Sequence, residues 1–419
     1  MHVVVIGAGI VGLASALELL RDGHAVTIIE PAEAGGEQAA SYGNGTLLNP
    51  SSVIPVSSPG LWKKIPGYLR DPLGPVSIRW RYLPKLLPWL RRFIKAGSSV
   101  AKVEATARAL APLLADAPAL HRALADEAGV GDLIQRNGVL FTFPSRADYE
   151  AEATSWRIRA DNGTKWIELN ADELRQREPG LDRRYTFALL VEENGQCVDP
   201  GAFVAALARL AQEQGAVWRR DSATGFRVEA GRLRAVRTGS GEIAADRAVI
   251  AAGARSRGLA AAAGDQVPLE TERGYHVLIK DPESGPRLPM MPSDGKMAHA
   301  MTPQGLRIAG QVELAGLDAA PNWKRAEILR DFAIQTWPGL PSDLPAERIQ
   351  VWMGHRPSTP DGVPCIGLAT GCADVVHAFG HGHVGLTAGP MTGKLVADLI
   401  AGRPPRVDVA PFSVRRFLD

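Results

Sequence analysis

The residues of this chain whose types and spacing most plainly imply chemistry lie at its beginning, in the stretch HVVVIGAGIVGLASALELLRDGHAVTIIE. Gly7, Gly9 and Gly12 stand at GxGxxG spacing, and Glu30 closes the stretch. Such a pattern serves a pyrophosphate. Gly7 permits a tight turn, Gly9 lets backbone approach the phosphates, and Gly12 lets a helix pack close, so that amides at the helix N-terminus, those of Ile10 and Val11 among them, face the anion. Glu30 is placed to receive ribose hydroxyls, and its charge disfavours a 2′-phosphate, so FAD or NAD is expected over NADP.

For these residues to act together, particular elements must position them. His2–Ile6 is a short β-branched apolar run of the kind buried on both faces of a parallel sheet. Leu13, Ala16, Leu17 and Leu20 then recur at helical spacing until Gly23, and a second strand precedes Glu30. Strand, glycine turn, helix, strand and acid make one βαβ unit. Further on, Asp199 followed by Pro200 predicts a capped helix running to Gly215. The run AVIAAGARS at 248–256 predicts a buried strand opening into a small-residue loop and returning to the nucleotide-binding sheet. Segments 269–280 and 298–313 predict strands of a second, antiparallel sheet, and 99–128 reads as one helix. In FGHGHVGLTAGPMTGKLVADLI, residues 379–400, a glycine-rich loop opens a helix from about Thr387, a second helix N-terminus able to face negative charge.

The fold class expected is therefore α/β: a discontinuous Rossmann-like domain of residues 1–50, 197–256 and 351–404, with a second α+β substrate domain of residues 51–196 and 257–350 built on an antiparallel sheet. A helical basic insertion is expected at about 61–128. Two domains also suit 419 residues, more than one core usually serves. Apolar residues at 45% and charged residues at 22% describe a globular protein, and a net charge of +2 selects no partner. No apolar run approaches the roughly 18 residues that span a bilayer. Met1 leads directly into a core strand without a basic n-region, and the three cysteines lack CxxC spacing, so a reducing cytoplasm is expected, with neither disulfide framework nor zinc site.

One stretch departs from that balance. Between residues 61 and 95 stand Lys63, Lys64, Arg70, Arg79, Arg81, Lys85, Arg91, Arg92 and Lys95 against the single acid Asp71, interleaved with Trp62, Tyr68, Trp80, Tyr82, Trp89 and Phe93. Basic residues among aromatics suit an anionic lipid surface or nucleic acid. They equally suit a solvated basic face on a helical insertion whose aromatics are core.

At this point a resemblance enters. The N-terminal fingerprint, GYH at 274–276, GHRPSTPDGVPCIG at 354–367 and GHGHVGLT at 380–387 resemble the FAD-dependent D-amino acid oxidase superfamily, and within it the small-subunit type of bacterial D-amino acid dehydrogenase, in order from Met1 to about Pro404. The resemblance implies a non-covalent FAD, with Gly7, Gly9, Gly12 and Glu30 on its ADP half. It places Ser41, Asn44, Gly45 and Thr46 along the flavin, Thr224 on the adenine side and Ala252 and Gly253 in a second flavin loop. Gly380, His381, Gly382, His383, Val384, Gly385, Leu386 and Thr387 fall under the pyrimidine ring. It also implies that Arg356 pairs with the substrate carboxylate, which a planar guanidinium fork holds bidentately, and that Tyr275 donates its hydroxyl to the same carboxylate. Two departures stand out: Leu386 replaces a frequent tryptophan, enlarging the pocket, and MTGK at 391–394 replaces a small-residue segment.

His276, His355 and His383, like Leu386, are candidates for the substrate pocket, although a structural role ranks ahead for these histidines, since hydride transfer from a neutral amine needs no side-chain base. No HExxH spacing suggests a metal. The activity implied is oxidation of the Cα–N bond of a D-amino acid or a cyclic D-imino acid such as D-proline. Electrons would pass to a quinone or another acceptor, and the basic segment would place the enzyme on the inner face of the cell membrane; no nucleic acid is expected. A glycine- or sarcosine-type oxidase using dioxygen is the second reading, and a flavin-containing docking subunit the third.

Overall fold

The N-terminal unit forms as its pattern requires. In a computed structural model describing residues 1–61, 66–67, 74 and 76–418, strand His2–Ile6 is followed by helix Ile10–Arg21 and strand Ala25–Ile29. These two strands lie side by side and parallel in a six-stranded sheet whose order is Val217–Arg219, Ala25–Ile29, His2–Ile6, Arg247–Ile250, Val375–Phe379 and Cys365–Leu368. Only the last pair is antiparallel. The helix Pro200–Glu213 covers this sheet, its first turn fixed by the Asp199 side chain accepting from Ala202 N at 2.9 Å. Strands Ala223–Glu229, Arg232–Thr238 and Gly241–Ala244 make a separate antiparallel meander.

The second sheet has nine strands, the long ones being Glu270–Ile279, Gly305–Leu314 and Ile349–Ser358. Segment 351–358, expected with the nucleotide-binding sheet, belongs here instead, because Ile349–Ser358 pairs residue for residue with the whole of Glu270–Ile279. Nor is the 61–128 insertion wholly helical: Val76–Ile78 is a strand parallel to Gly305–Leu314. The expected single helix over 99–128 is two, Val100–Leu114 and Ala117–Glu127, the second opening on Pro118, which has no N–H to continue a ladder.

Two helices meet at unusually short range, and this sets the site. Helix Gly385–Ala401 lies along Ile10–Arg21: a Cβ added at Gly389 would stand 2.7 Å from Ile10, and one at Gly393 would stand 2.6 Å from the carbonyl of Ala14. The contacts advance in the same direction along both chains, ending at an ion pair of Lys394 with Glu18 at 2.9 Å. The helices are therefore parallel, and their positive N-terminal ends emerge together. MTGK thus seats the helix, with Gly393 and Lys394 against the first helix and Met391 in the apolar cluster with Val53, Val384 and Phe412.

Of the basic segment, Trp62, Lys63, Lys64, Tyr68, Arg70 and Asp71 lie outside the described residues. The remainder divides by face. On helix Leu83–Ala96, Leu86, Trp89 and Leu90 are buried, while Lys85, Arg91, Arg92 and Lys95 are exposed, as are Arg81 and Trp80 just before it. Arg79 is committed to Glu313 at 2.8 Å. No described helix is long and apolar enough to cross a membrane.

Candidate active site

The first glycine turn has the shape its spacing predicts. Gly7 holds φ 106°, and a Cβ there would lie 2.5 Å from the carbonyl oxygen of Ala251, so the loop carrying Ala252 and Gly253 rests directly on the turn. At Gly12 a Cβ would stand 1.9 Å from the Gly7 carbonyl oxygen. Gly9, the N-cap of the helix, is different: an added Cβ would meet nothing nearer than Ser41 Oγ at 3.6 Å. That open space before the helix amides is where a phosphate fits. The side chain of Ile10 is buried in the core and that of Val11 packs against it, so their part in the turn is backbone. Ile10 N donates to Ser41 Oγ at 3.3 Å, and Glu30, at the end of its strand, accepts from Ala8 N at 3.0 Å. Thr224 lies where the register of its strand shifts between Ala223 and Gly225, a bulge that takes its backbone out of the ladder.

From Ser41 the chain crosses to the second sheet, whose alternation decides what it meets. Side chains of even number on Glu270–Ile279 and Ile349–Ser358 share one face. There His276 stacks on Trp352 with centroids 5.1 Å apart, and Gly43 leaves no room for a Cβ against the Trp352 ring. The Gly43 carbonyl accepts from His276 Nδ1 at 3.3 Å, and Arg307 donates to the carbonyls of Tyr42 and Asn44, each at 3.3 Å. Gly45 lies against Ala298 and Ala309. Thr46 holds φ 68°, a left-handed conformation rare for a β-branched residue, and its buried Oγ1 has no partner among the described residues. Strain and an orphaned polar atom in a small-residue loop mark a place shaped for a ligand. Burial pushes the His276 pKa down to about 3, so the ring is neutral.

Arg356 projects from the same face. Its guanidinium lies over Gly274, 2.2 Å from where a Cβ would be, and donates to the carbonyls of Gln311 at 2.9 Å and Gly310 at 3.4 Å. Among the described residues it has no ion pair, and desolvation lowers its pKa, with Glu272 acting in the opposite sense. The receiving carbonyl is aimed by a bulge: the register shifts between Arg273 and Tyr275, Gln311 holds φ 62°, and Arg325 Nη1 grips the Gln311 Oε1 at 2.5 Å. A desolvated guanidinium whose hydrogen bonds among the described residues go to carbonyls has the planar fork and charge that could take a carboxylate.

Other expected residues stand elsewhere. Tyr275, of odd number, points to the opposite face. Its hydroxyl donates to the buried Glu313 Oε2 at 2.6 Å and accepts from Asn322 N at 3.0 Å, so it does not join Arg356. His355 is on that far face too, its Nδ1 2.9 Å from Thr271 Oγ1. Leu386, expected in the pocket, packs in the core with Leu48, Leu124 and Phe203, because its place in the first turn of the last helix faces the first domain. His381 Nε2 lies 3.0 Å from Thr392 Oγ1; that hydroxyl is already donated to the Ala388 carbonyl, so His381 is the donor. Gly380 and Gly382, at φ 86° and 52°, turn the loop, Val384 is core, and Gly385 opens the helix. Thr387 Oγ1 latches the helix to the loop by donating to the Leu47 carbonyl at 3.4 Å. His383 does reach the site, with Nδ1 3.5 Å from Glu272 Oε2. Glu272, Gln311 and Trp352 were not expected; only alternation from Gly274 could have found Glu272.

The Tyr275 geometry makes a prediction. Tyr275→Phe should lower stability by about 1–3 kcal/mol, the cost of leaving buried Glu313 and Asn322 N underserved, without changing substrate affinity. Thermal unfolding beside steady-state KM checks this; a raised KM at unchanged Tm would return the hydroxyl to the substrate.

A parallel sheet with an open glycine turn at a helix N-terminus, together with an antiparallel sheet whose Arg356 has no ion pair among the described residues, fits the class of dinucleotide-dependent oxidoreductases. Comparison of the sequence narrows this: the family model DAO, FAD dependent oxidoreductase, matches residues 2–399, so the chain belongs to this family, and its cofactor is FAD. A D-amino-acid oxidase of Bradyrhizobium diazoefficiens is 59% identical over 417 residues, covering 100% of this chain and 99% of the relative. A D-amino acid dehydrogenase of Paramagnetospirillum magneticum is 31% identical, covering 100% of this chain and 99% of the relative. The fold is similar to that of glycine oxidase from Geobacillus kaustophilus, with TM-score 0.73 and 22% identity over 98% of this chain and 97% of that one.

Proposed function

We propose that this flavoenzyme oxidises the Cα–N bond of D-amino acids, or of cyclic D-imino acids, to the imino acid, which water then hydrolyses to a keto acid. The observation that carries the reading is Arg356: a desolvated guanidinium with no ion pair among the described residues, on the sheet face that meets the 41–46 loop. The D configuration is supported by the names of the relatives at 59% and 31% identity. Gly7, Gly9, Gly12 and Glu30 would hold the ADP half of FAD, with Thr224 on the adenine side. The loops at Ser41–Thr46, Ala252–Gly253 and Gly380–Thr387 would hold its ring system. When bound, FAD supplies the two-electron sink. The chain's own part is to hold the carboxylate at Arg356, to keep water from the face lined by His276 and Trp352, and to direct two helix N-termini toward the negative charge that reduction brings. The sheet memberships support two domains, with 359–404 rather than 351–404 closing the first.

Anaerobic bleaching of the bound flavin by D-alanine or D-proline, with the L-enantiomers as controls, tests this reading. A flavin bleached by neither enantiomer would overturn it and leave a docking subunit.

Two acceptors follow from different observations. The exposed basic face of helix Leu83–Ala96, beside the exposed Trp80, supports an anionic membrane surface where a quinone takes the electrons. Salt should then release the enzyme from vesicles containing anionic lipid, since exposed charges are screened over about 8 Å at physiological ionic strength. The name of the relative at 59% identity supports dioxygen instead. Hydrogen peroxide formed in air, with no binding to anionic vesicles, would decide for the second.

A further inference from the structure

The buried acids in and beside the second sheet are nearly all spoken for. Glu270 accepts from Tyr82 Oη and from Thr271 N, each at 2.8 Å. Glu313 accepts from Arg79, Arg273 and Tyr275, and Glu178 from the backbone N–H groups of Arg287 and Leu288. Glu272 is the exception. It is 4% exposed, and its Oε2 is the one buried carboxylate oxygen without a hydrogen-bond partner among the described residues. His383 Nδ1 is 3.5 Å away and makes no hydrogen bond to it, and burial pushes the His383 pKa down to about 3, so that ring is neutral. Burying such an oxygen with nothing to accept from is costly, and the exceptions in a folded protein call for a ligand or a function.

The position of Glu272 supplies that function. It is the cross-strand neighbour of Arg356, on the same face of the sheet. The two charges act on one another but form no ion pair among the described residues, because the Arg356 side chain is drawn along the strand, over Gly274, to the carbonyls of Gly310 and Gln311. An anion receptor and a cation receptor therefore stand side by side on one face of the sheet. An α-amino acid carries its carboxylate and its ammonium on one carbon, the same disposition of opposite charges.

We propose that Glu272 binds the α-amino group of the substrate whose carboxylate Arg356 holds, and so selects amino and imino acids over carboxylates without a nitrogen. This rests on the function proposed above. Burial pushes the Glu272 pKa up to about 7, against the pull of Arg356 and of the neighbouring Ser358 hydroxyl. A substrate ammonium beside it favours the ionised carboxylate, which accepts N–H bonds and donates none.

The test uses the FAD-loaded enzyme and two ligands of one carbon skeleton that it cannot oxidise at an α C–H beside nitrogen: 2-aminoisobutyrate and isobutyrate. Each is titrated by its perturbation of the flavin absorption spectrum. The parent enzyme should bind 2-aminoisobutyrate the more tightly, and Glu272→Gln, which keeps the shape and removes the charge, should weaken that ligand about tenfold, the difference between a charged and a neutral acceptor. Isobutyrate should bind Glu272→Gln as well as it binds the parent. An equal change for both ligands, or no change for either, overturns the proposal. Should Glu272→Gln fail to fold, a parent enzyme that does not discriminate between the ligands overturns it as well. If the parent binds neither ligand, the function proposed above fails, and this inference with it.

Discussion

Arg356→Leu should lower kcat/KM for the best D-amino acid by on the order of 10²–10³-fold, while the variant still purifies with its FAD. The magnitude follows from what is removed. Truncating one member of a desolvated, hydrogen-bonded charge pair costs roughly 2–5 kcal/mol, and each 1.4 kcal/mol is about tenfold. FAD retention is expected because Arg356 projects from the antiparallel sheet, its hydrogen bonds going to Gly310 and Gln311, whereas the glycine turns are on the other sheet. Arg356→Lys should recover part of the loss, since the charge returns without the planar fork that also reaches the Gln311 carbonyl. Anaerobic stopped-flow reduction reads both variants. If Arg356→Leu bleaches the flavin at the parent's rate at every substrate concentration, the carboxylate is held elsewhere.

The second large effect separates two glycines that the fingerprint treats alike. Gly9→Ala should leave the apoprotein's Tm unchanged and weaken FAD binding by roughly 1–3 kcal/mol, the cost of pressing a methyl group into a fitted contact. At Gly9 the backbone sits at φ −73° and ψ 179°, open to any residue, and the added Cβ meets only Ser41 Oγ at 3.6 Å. What it obstructs is the approach of the pyrophosphate. Gly12→Ala should instead prevent folding, because its Cβ would lie 1.9 Å from the backbone oxygen of Gly7, where no side chain can give way. Circular dichroism of the apoproteins and fluorescence titration of FAD distinguish the two outcomes. A Gly9→Ala protein that binds FAD like the parent would remove the phosphates from that turn.

The sequence by itself determined what is built from neighbours along the chain. The βαβ unit to Glu30 and the helix that Asp199 caps depend on strand composition, glycine conformation and side-chain capping within a few residues, and each forms where its pattern predicts. Arg356 was singled out differently, through the resemblance of its motif to a family and not through local pattern. The tertiary structure alone decided which face each site residue presents. Alternation separates Tyr275 from Gly274 and His276, but which of the two sets meets the 41–46 loop depends on pairing with Ile349–Ser358, some eighty residues on, and on the bulge beside Gln311. That parity sent Tyr275 to Glu313 and brought Glu272 beside Arg356, where no short motif names it. Leu386 likewise became core because the close packing of Gly389 and Gly393 on the first helix fixes the rotation of the last one. Parity and rotation are set by contacts between distant segments, and a period read along one strand or helix leaves both free.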